Sequence, residues 1–224
     1  MKRPPLIAND SQVMPPPTAP VREPTADSIV LPVPPALPDG PTLDHCLRNR
    51  RSSRSFLPDS LTLAETSRLL WAAQGYTGLG GLRTAPSAGA FYPVRSYLLA
   101  ASVKGLAAGF YGFDTDAGSL RLLRKGERRK SLARAVAGQT CVEECAVALL
   151  LTGWYKRAAR EFGDAAPRLA AMECGHIGQN FCLQATALGL GAIGLGRLDP
   201  EAVRLLLRLP EDEEPLYLLL AGRV

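Results

Sequence analysis

The chain has 224 residues, 46% hydrophobic and 21% charged, with a formal net charge of +5. That balance excludes wholesale disorder, collagen-like repeats and a disulfide-dense mini-domain, and it supports one sizeable core or two small ones. No apolar run approaches the ~18 residues of a membrane-spanning helix. Residues 1–41 hold 12 of the 19 prolines. Proline fixes φ and lacks the amide donor, so neither a helix nor a central strand runs there. The expectation is an N-terminal arm over 1–41, with residues 1–27 a tail or a wrap on a neighbour and Ile29 to Pro38 packed on the folded body. Met1-Lys2-Arg3 leads into prolines rather than an apolar signal core, so a cytoplasmic protein is expected.

The folded domain is expected over 42–224. Thr42 caps a short helix, Leu43 to Asn49, and Thr62 caps another that ends near Gly75, with Leu63, Leu69, Leu70 and Ala73 on one face. Residues 76–93 are turn-rich (Gly78, Gly80, Gly81, Pro86, Gly89, Pro93), and long irregular stretches inside a domain are commonly functional. Ser96 to Ala101 reads as a strand. Gly109 to Asp114 and Ser119 to Leu123 read as a hairpin. A helix near Arg128 to Val136 and a buried strand, Ala146 to Thr152, follow. Ala166 to Leu188 reads as a long helix rich in small residues, which suits a core centre or a dimer seam. A glycine-studded strand (Gly191 to Gly196), a helix from Pro200 to Leu209 and a last strand, Pro215 to Gly222, complete an α+β order without βαβ repetition.

Four features carry chemistry. Arg48-Asn49-Arg50-Arg51-Ser52-Ser53-Arg54 is a cluster of guanidinium forks and hydroxyls. In an extended chain Arg50, Ser52 and Arg54 share one face, suited to a phosphate or a delocalised anion. The alternatives are a solvated basic patch or a nucleic-acid contact, but no aromatics interleave and no nucleic acid is expected as partner. Arg83-Thr84-Ala85-Pro86-Ser87-Ala88-Gly89 lets backbone approach a flat ligand. Glu173, His176 and Asn180 share one face of the long helix, where they line a pocket or bond across the core. Gly191-Ala192-Ile193-Gly194-Leu195-Gly196 offers backbone amides to a planar ring, though it is no Rossmann fingerprint. Cys46, Cys141, Cys145, Cys174 and Cys182 read as reduced thiols, and with only His45 and His176 beside them no metal site is expected.

The order RRSxRxF, LLWAAQG, RTAPSAGAxYP, ExGHxxQN, ALGLGxxxxGxxD resembles the nitroreductase family, in particular its SagB/ThcOx-type branch of azoline dehydrogenases. The resemblance spans Ile29 to Val224. It implies a nitroreductase-like mixed sheet flanked by helices, with a long central helix, in an intertwined homodimer that holds FMN at its interface. Arg50, Arg51, Ser52 and Arg54 would contact the flavin phosphate, ribityl chain and N1–C2=O edge. Pro86, Ser87, Ala88 and Gly89 would come from the second subunit, Gly194, Leu195 and Gly196 would lie near the ring, and Arg223 would touch the phosphate. The implied activity is FMN-dependent hydride transfer between flavin N5 and a small organic substrate, with NAD(P)H a possible donor. The alternatives are azoline oxidation in a modified peptide and flavin binding without turnover. The Lys-Tyr pair of azoline dehydrogenases is replaced by Glu161-Phe162-Gly163, leaving Glu161 as a base if it is buried; Tyr155 and Lys156 are reversed and displaced.

Overall fold

A computed structural model describes residues 25–34, 39–77 and 81–224. The expectations for residues 1–24, for Pro35 to Pro38, and for Gly78 and Gly80 therefore lie outside the described residues. In chain order the elements are β1 (Ser28–Val30), α1 (Leu43–Asn49), α2 (Leu63–Gln74), β2 (Val94–Ala100), β3 (Gly109–Asp114), β4 (Ser119–Lys125) and α3 (Arg129–Ala135). Then follow α4 (Cys141–Glu144), β5 (Val147–Gly153), α5 (Ala158–Phe162), α6 (Ala166–Ala187), β6 (Gly191–Leu195), α7 (Pro200–Leu207) and β7 (Glu214–Gly222). 3₁₀ turns occupy Ala88–Ala90 and Gly163–Ala165.

Three helices, α1, α2 and α7, start where side chains satisfy their free amides. Thr42 caps α1 at the His45 amide. Thr62 and Glu65 form a reciprocal capping box on α2. Asp199 caps α7 ahead of Pro200. One sheet runs β1-β4-β3-β2-β5-β7-β6. Every named strand pair is antiparallel. Parallel pairing among the described residues is confined to isolated bridges: Ser52 with Ala192, beside the β6 edge, and Leu61 with Val103. The arm reaches the sheet as well. Ser28–Val30 pairs with Ser119–Arg121 at the opposite edge, where a proline-flanked segment can serve as a strand.

Alternating side chains give the sheet two dry faces. Against one pack α2 and α6, with Leu69, Leu70, Ile177 and Phe181 meeting Leu98, Leu149 and Leu219. Against the other pack α3, α4 and α7, with Leu132, Val142, Val203 and Leu207 meeting Leu99, Leu150 and Leu220. The central strand β5 is buried along its whole length, as its unbroken apolar run requires. Among the described residues no helix is long and apolar enough to cross a membrane, and no group of three metal-ligating side chains converges. All five cysteines are free.

Candidate active site

The arginine-rich segment leaves α1 as an extended chain beside β6. The Ser53 amide donates to the Ala192 carbonyl at 3.0 Å, and the Leu57 amide to the Arg223 carbonyl at 2.9 Å. Ser52 is thereby placed against the glycine strand, paired with Ala192, 140 positions further along the chain. Arg50 lies within electrostatic reach of Cys182 and Tyr217 on the α6 side. Arg54 lies within reach of Cys141 of α4. The segment thus curls around the sheet edge, and the single face expected for Arg50 and Arg54 is divided between the two layers. Arg51 folds back onto α1, donating at 2.9 Å to the Arg48 and Arg50 carbonyls.

In β6 the glycines do different work. A Cβ at Gly194 would fall 2.0 Å from Tyr217 Oη, and one at Gly191 would fall 2.6 Å from Ser53 Oγ. Tyr217 also lies under Gly178 of α6, where a Cβ would come within 2.7 Å of its ring. These three glycines make room for the protein's own side chains. At Gly196 nothing stands within 4 Å, so the open backbone expected for a planar ring is found there and not at Gly194.

The 83–92 loop is fastened to the other flank of α6. Ser87 Oγ donates to Glu173 Oε2 at 2.5 Å. Asn180 Nδ2 donates to the Thr84 carbonyl at 3.0 Å, and His176 Nδ1 stands 3.4 Å from the Pro86 carbonyl. Of the two roles open to that polar stripe, bonding across to the loop is the one observed. Ser87 Oγ also accepts from the Tyr92 amide at 3.0 Å. Gly89, Ala90 and Tyr92 all hold positive φ. For Ala90 and Tyr92 that conformation costs about 1–3 kcal/mol each and persists only where the surroundings over-determine it. Here the Arg83 guanidinium covers the Tyr92 ring at 4.5 Å. Arg83 is in turn paired with Asp116 at 3.0 Å.

Glu173 is 2% exposed, and its Oε1 has no hydrogen-bond partner among the described residues. Burial pushes its carboxyl up to about 7, opposed by the Ser87 hydrogen bond and the Arg83 cation. The stripe was legible in the sequence; the loop it holds was not. Tyr217 was missed altogether, since one aromatic in a buried strand carries no local signal. Beside the loop opens a cleft of ≈ 730 Å³, walled by Arg83, Phe91, Tyr92, Tyr97, Trp154 and Arg157.

Four residues sit apart. Glu161 is exposed on α5, so the burial that a base role requires is absent from the single chain. Tyr155 Oη donates to Glu214 at 2.8 Å and Lys156 pairs with Asp212 at 2.7 Å. Arg223 bridges to Glu65 at 2.9 Å. Burial alone would raise the Glu65 carboxyl, but hydrogen bonds from Thr62 and the Arg223 cation outweigh it and hold the group below its ordinary value.

The geometry divides across α6. Cys182, within electrostatic reach of Arg50, follows Glu173, the hydrogen-bond partner of Ser87, by nine residues, which at about 100° per residue turns it roughly 180° around the helix. In one chain the arginine segment and the Pro86–Gly89 loop flank opposite sides of α6.

Comparison with known proteins places this arrangement. The model of the Nitroreductase family matches residues 47–223. A provisionally named nitroreductase of Methanocaldococcus jannaschii is 36% identical over 181 residues, covering 81% of this chain and 90% of that one. A provisionally named nitroreductase structure from Ralstonia eutropha superposes with a TM-score of 0.77 at 30% identity, covering 88% and 90% of the two chains. A chain of the E. coli microcin synthetase McbBCD complex, solved with truncated pro-MccB17 bound, shares the fold with a TM-score of 0.68 at 23% identity, covering 80% and 72%.

Proposed function

The chain belongs to the nitroreductase family and is on that footing an oxidoreductase; we propose that it is an FMN-dependent member working as a homodimer. It passes a hydride between flavin N5 and a small organic substrate, with NAD(P)H as one donor. The observation that carries this reading is the division across α6. Two sets of ring-contacting candidates on opposite flanks of one helix serve a common ligand only when a second copy brings its Pro86–Gly89 loop to the first copy's Arg50 segment. An apolar surface suited to such an interface lies nearby, with Leu43 66% and Leu47 52% exposed on α1 and Trp71 and Leu183 lining the adjoining groove.

The residues fit the cofactor. Arg50, Ser52 and Arg54 supply forked donors and a hydroxyl for the phosphate, the ribityl chain and the N1–C2=O edge, where a cation favours the anionic reduced ring. Gly196 presents open backbone to the ring, next to Leu195 at the end of β6, with Tyr217 standing against Gly194. Bound FMN supplies a two-electron carrier that no side chain of this protein provides. Ser87, fixed by Glu173 and the Tyr92 amide, positions the incoming loop. Arg51 and Arg223 are further candidates for the flavin and its phosphate; within the single chain Arg51 closes α1 and Arg223 pairs with Glu65 in the first turn of α2. The cleft beyond Ala90 has the room and the aromatic walls for a small planar substrate.

Arg50→Ala with Arg54→Ala is expected to purify without the visible flavin spectrum while remaining dimeric by sedimentation. A double variant that retains a full complement of FMN would overturn the assignment. A second reading, azoline oxidation in a modified peptide, is favoured by the motif order and the fold shared with the microcin synthetase chain. Glu161-Phe162-Gly163 in place of the Lys-Tyr pair counts against it. Mass spectrometry of a thiazoline peptide after incubation separates the two, through the loss or retention of two hydrogens.

A further inference from the structure

The α3/α7 side of the sheet carries a second concavity, remote from α6. It measures ≈ 600 Å³, within the range of small-molecule sites. Six cations line it: Arg95 from β2, Arg121, Arg124 and Lys125 from β4, Arg128 before α3, and Arg208 at the end of α7. No Asp or Glu is among its lining residues. Glu213 approaches from behind, but it is fully buried and already holds Arg95 Nη1 at 3.0 Å, Tyr97 Oη at 2.6 Å and Thr152 Oγ1 at 2.5 Å. Its charge is thus taken up inside the sheet.

The groove is built rather than incidental. Tyr97, Gly112 and Arg121 are cross-strand neighbours in one row. The missing side chain at Gly112 leaves that row open toward the ≈ 730 Å³ cleft, which Gly112 lines and the groove adjoins. A Cβ at Gly112 would meet only Leu123 methyls at 3.6 Å, so packing does not demand glycine there. Three of the cations are fixed in place. Arg95 stacks on Trp154 at 4.1 Å as well as pairing with Glu213. Arg124 Nη1 donates to the Leu206 carbonyl. Arg128 Nη2 donates to the Lys125 carbonyl at 3.1 Å, while its buried Nε has no partner among the described residues. The side chains of the other three, Arg121, Lys125 and Arg208, make no hydrogen bond or ion pair among the described residues. Arg208 holds φ 55 at the end of α7, a position glycine most often fills.

We propose that this groove binds a polyphosphate-bearing small molecule. Guanidinium forks match phosphate oxygens in pairs. A concave site with three anchored and three free cations concentrates more positive charge than one carboxylate or one phosphate neutralises. The site stands on the sheet face opposite to α6, away from Arg50 and Ser52, so its ligand is additional to FMN; it adjoins the ≈ 730 Å³ cleft, with which it shares Arg95, Tyr97 and Arg121.

Inorganic tripolyphosphate is the probe, titrated calorimetrically into the full chain. Saturable binding of one per chain is expected, with affinity falling as salt rises. Arg121→Glu with Arg208→Glu is expected to weaken it by about 100-fold, at about tenfold for each lost charged contact. Lys104→Glu with Arg168→Glu makes the same change in net charge away from the groove and is expected to leave the affinity unchanged. Arg50→Ala with Arg54→Ala is likewise expected to leave it unchanged. ATP binding as tightly as tripolyphosphate assigns recognition to the phosphate chain, and tighter ATP binding adds a contact to the base; either supports the site. The proposal is overturned if tripolyphosphate does not saturate, or if both charge-reversal pairs weaken it equally. Loss of binding in the Arg50/Arg54 variant, or a short DNA duplex binding where tripolyphosphate does not, overturns it as well.

Discussion

On the α6 side of the sheet, glycines, alanines and a polar stripe bring backbone close to backbone; on the α3/α7 side, leucines close a dry core and arginines ring what the helices leave bare. Gly178 and Gly194 clear space for Tyr217. Glu173, His176 and Asn180 hold a loop in three left-handed positions. Against the other face, Leu132, Val203 and Leu207 do little besides exclude water. The difference teaches where geometry is at stake. The α6 side positions groups to fractions of an ångström, whereas the α7 side supplies bulk stability and leaves its charges at the rim.

Adjacent residues of β5 break that comparison most sharply. Leu149 points to the α6 core and Leu150 to the α7 core, with 0% and 1% exposure. Each truncated to alanine is expected to lower stability by about 2–5 kcal/mol, measured by urea unfolding. Only Leu149→Ala, beneath the helix that carries both halves of the candidate site, is expected also to loosen bound flavin. Equal flavin loss in both variants would mean that the faces do not divide the labour.

Glu173 sharpens it through pH. Its carboxyl is pushed up to about 7 in the fold, from an ordinary value of 4.5, chiefly by burial. Between those two values the folded chain holds a proton that the unfolded chain has released, so stability falls as pH rises through this window. The full loss is about 3 kcal/mol, at about 1.4 kcal/mol per pH unit. Glu173→Gln keeps an acceptor for Ser87 and removes the titration. Urea midpoints measured from pH 5 to 8 are expected to drop for the wild type and to stay flatter in the variant. Parallel profiles would show that the carboxyl does not change protonation there.

Legibility in the sequence followed the same divide between local and distant causes. Helices α1, α2 and α6 stand within a residue or two of expectation because Thr42, Thr62 and Gly189 mark their ends through neighbouring atoms. Helix α5 went unseen, being five residues long with no side-chain cap. β1 was hidden because its strand character comes from pairing with β4, not from its own prolines. In the candidate site the motifs were visible one by one. That Arg50 and Ser87 flank opposite sides of α6, or that Tyr217 fills the space beneath Gly194, depends on pairings between distant segments that no local pattern encodes.

The smallest effect tests the tight packing itself. A methyl at Gly178 would stand 2.7 Å from Tyr217 Cε1, and the ring cannot slide away, because its hydroxyl end is stopped by the backbone of Gly194. Gly178→Ala therefore sets two effects against each other. Alanine favours the helix over glycine by about 1 kcal/mol. Overpacking costs about 1–3 kcal/mol. The net expectation is a loss of up to about 2 kcal/mol, read as a lowered urea midpoint. Tyr217→Leu shortens the ring and should return the helical gain, so that Gly178→Ala is stabilising in that background and the pair shows coupling in a double-mutant cycle. Stabilisation by Gly178→Ala in the wild-type background would mean that Tyr217 is free to move, and the α6 side would then owe its glycines to something other than this ring.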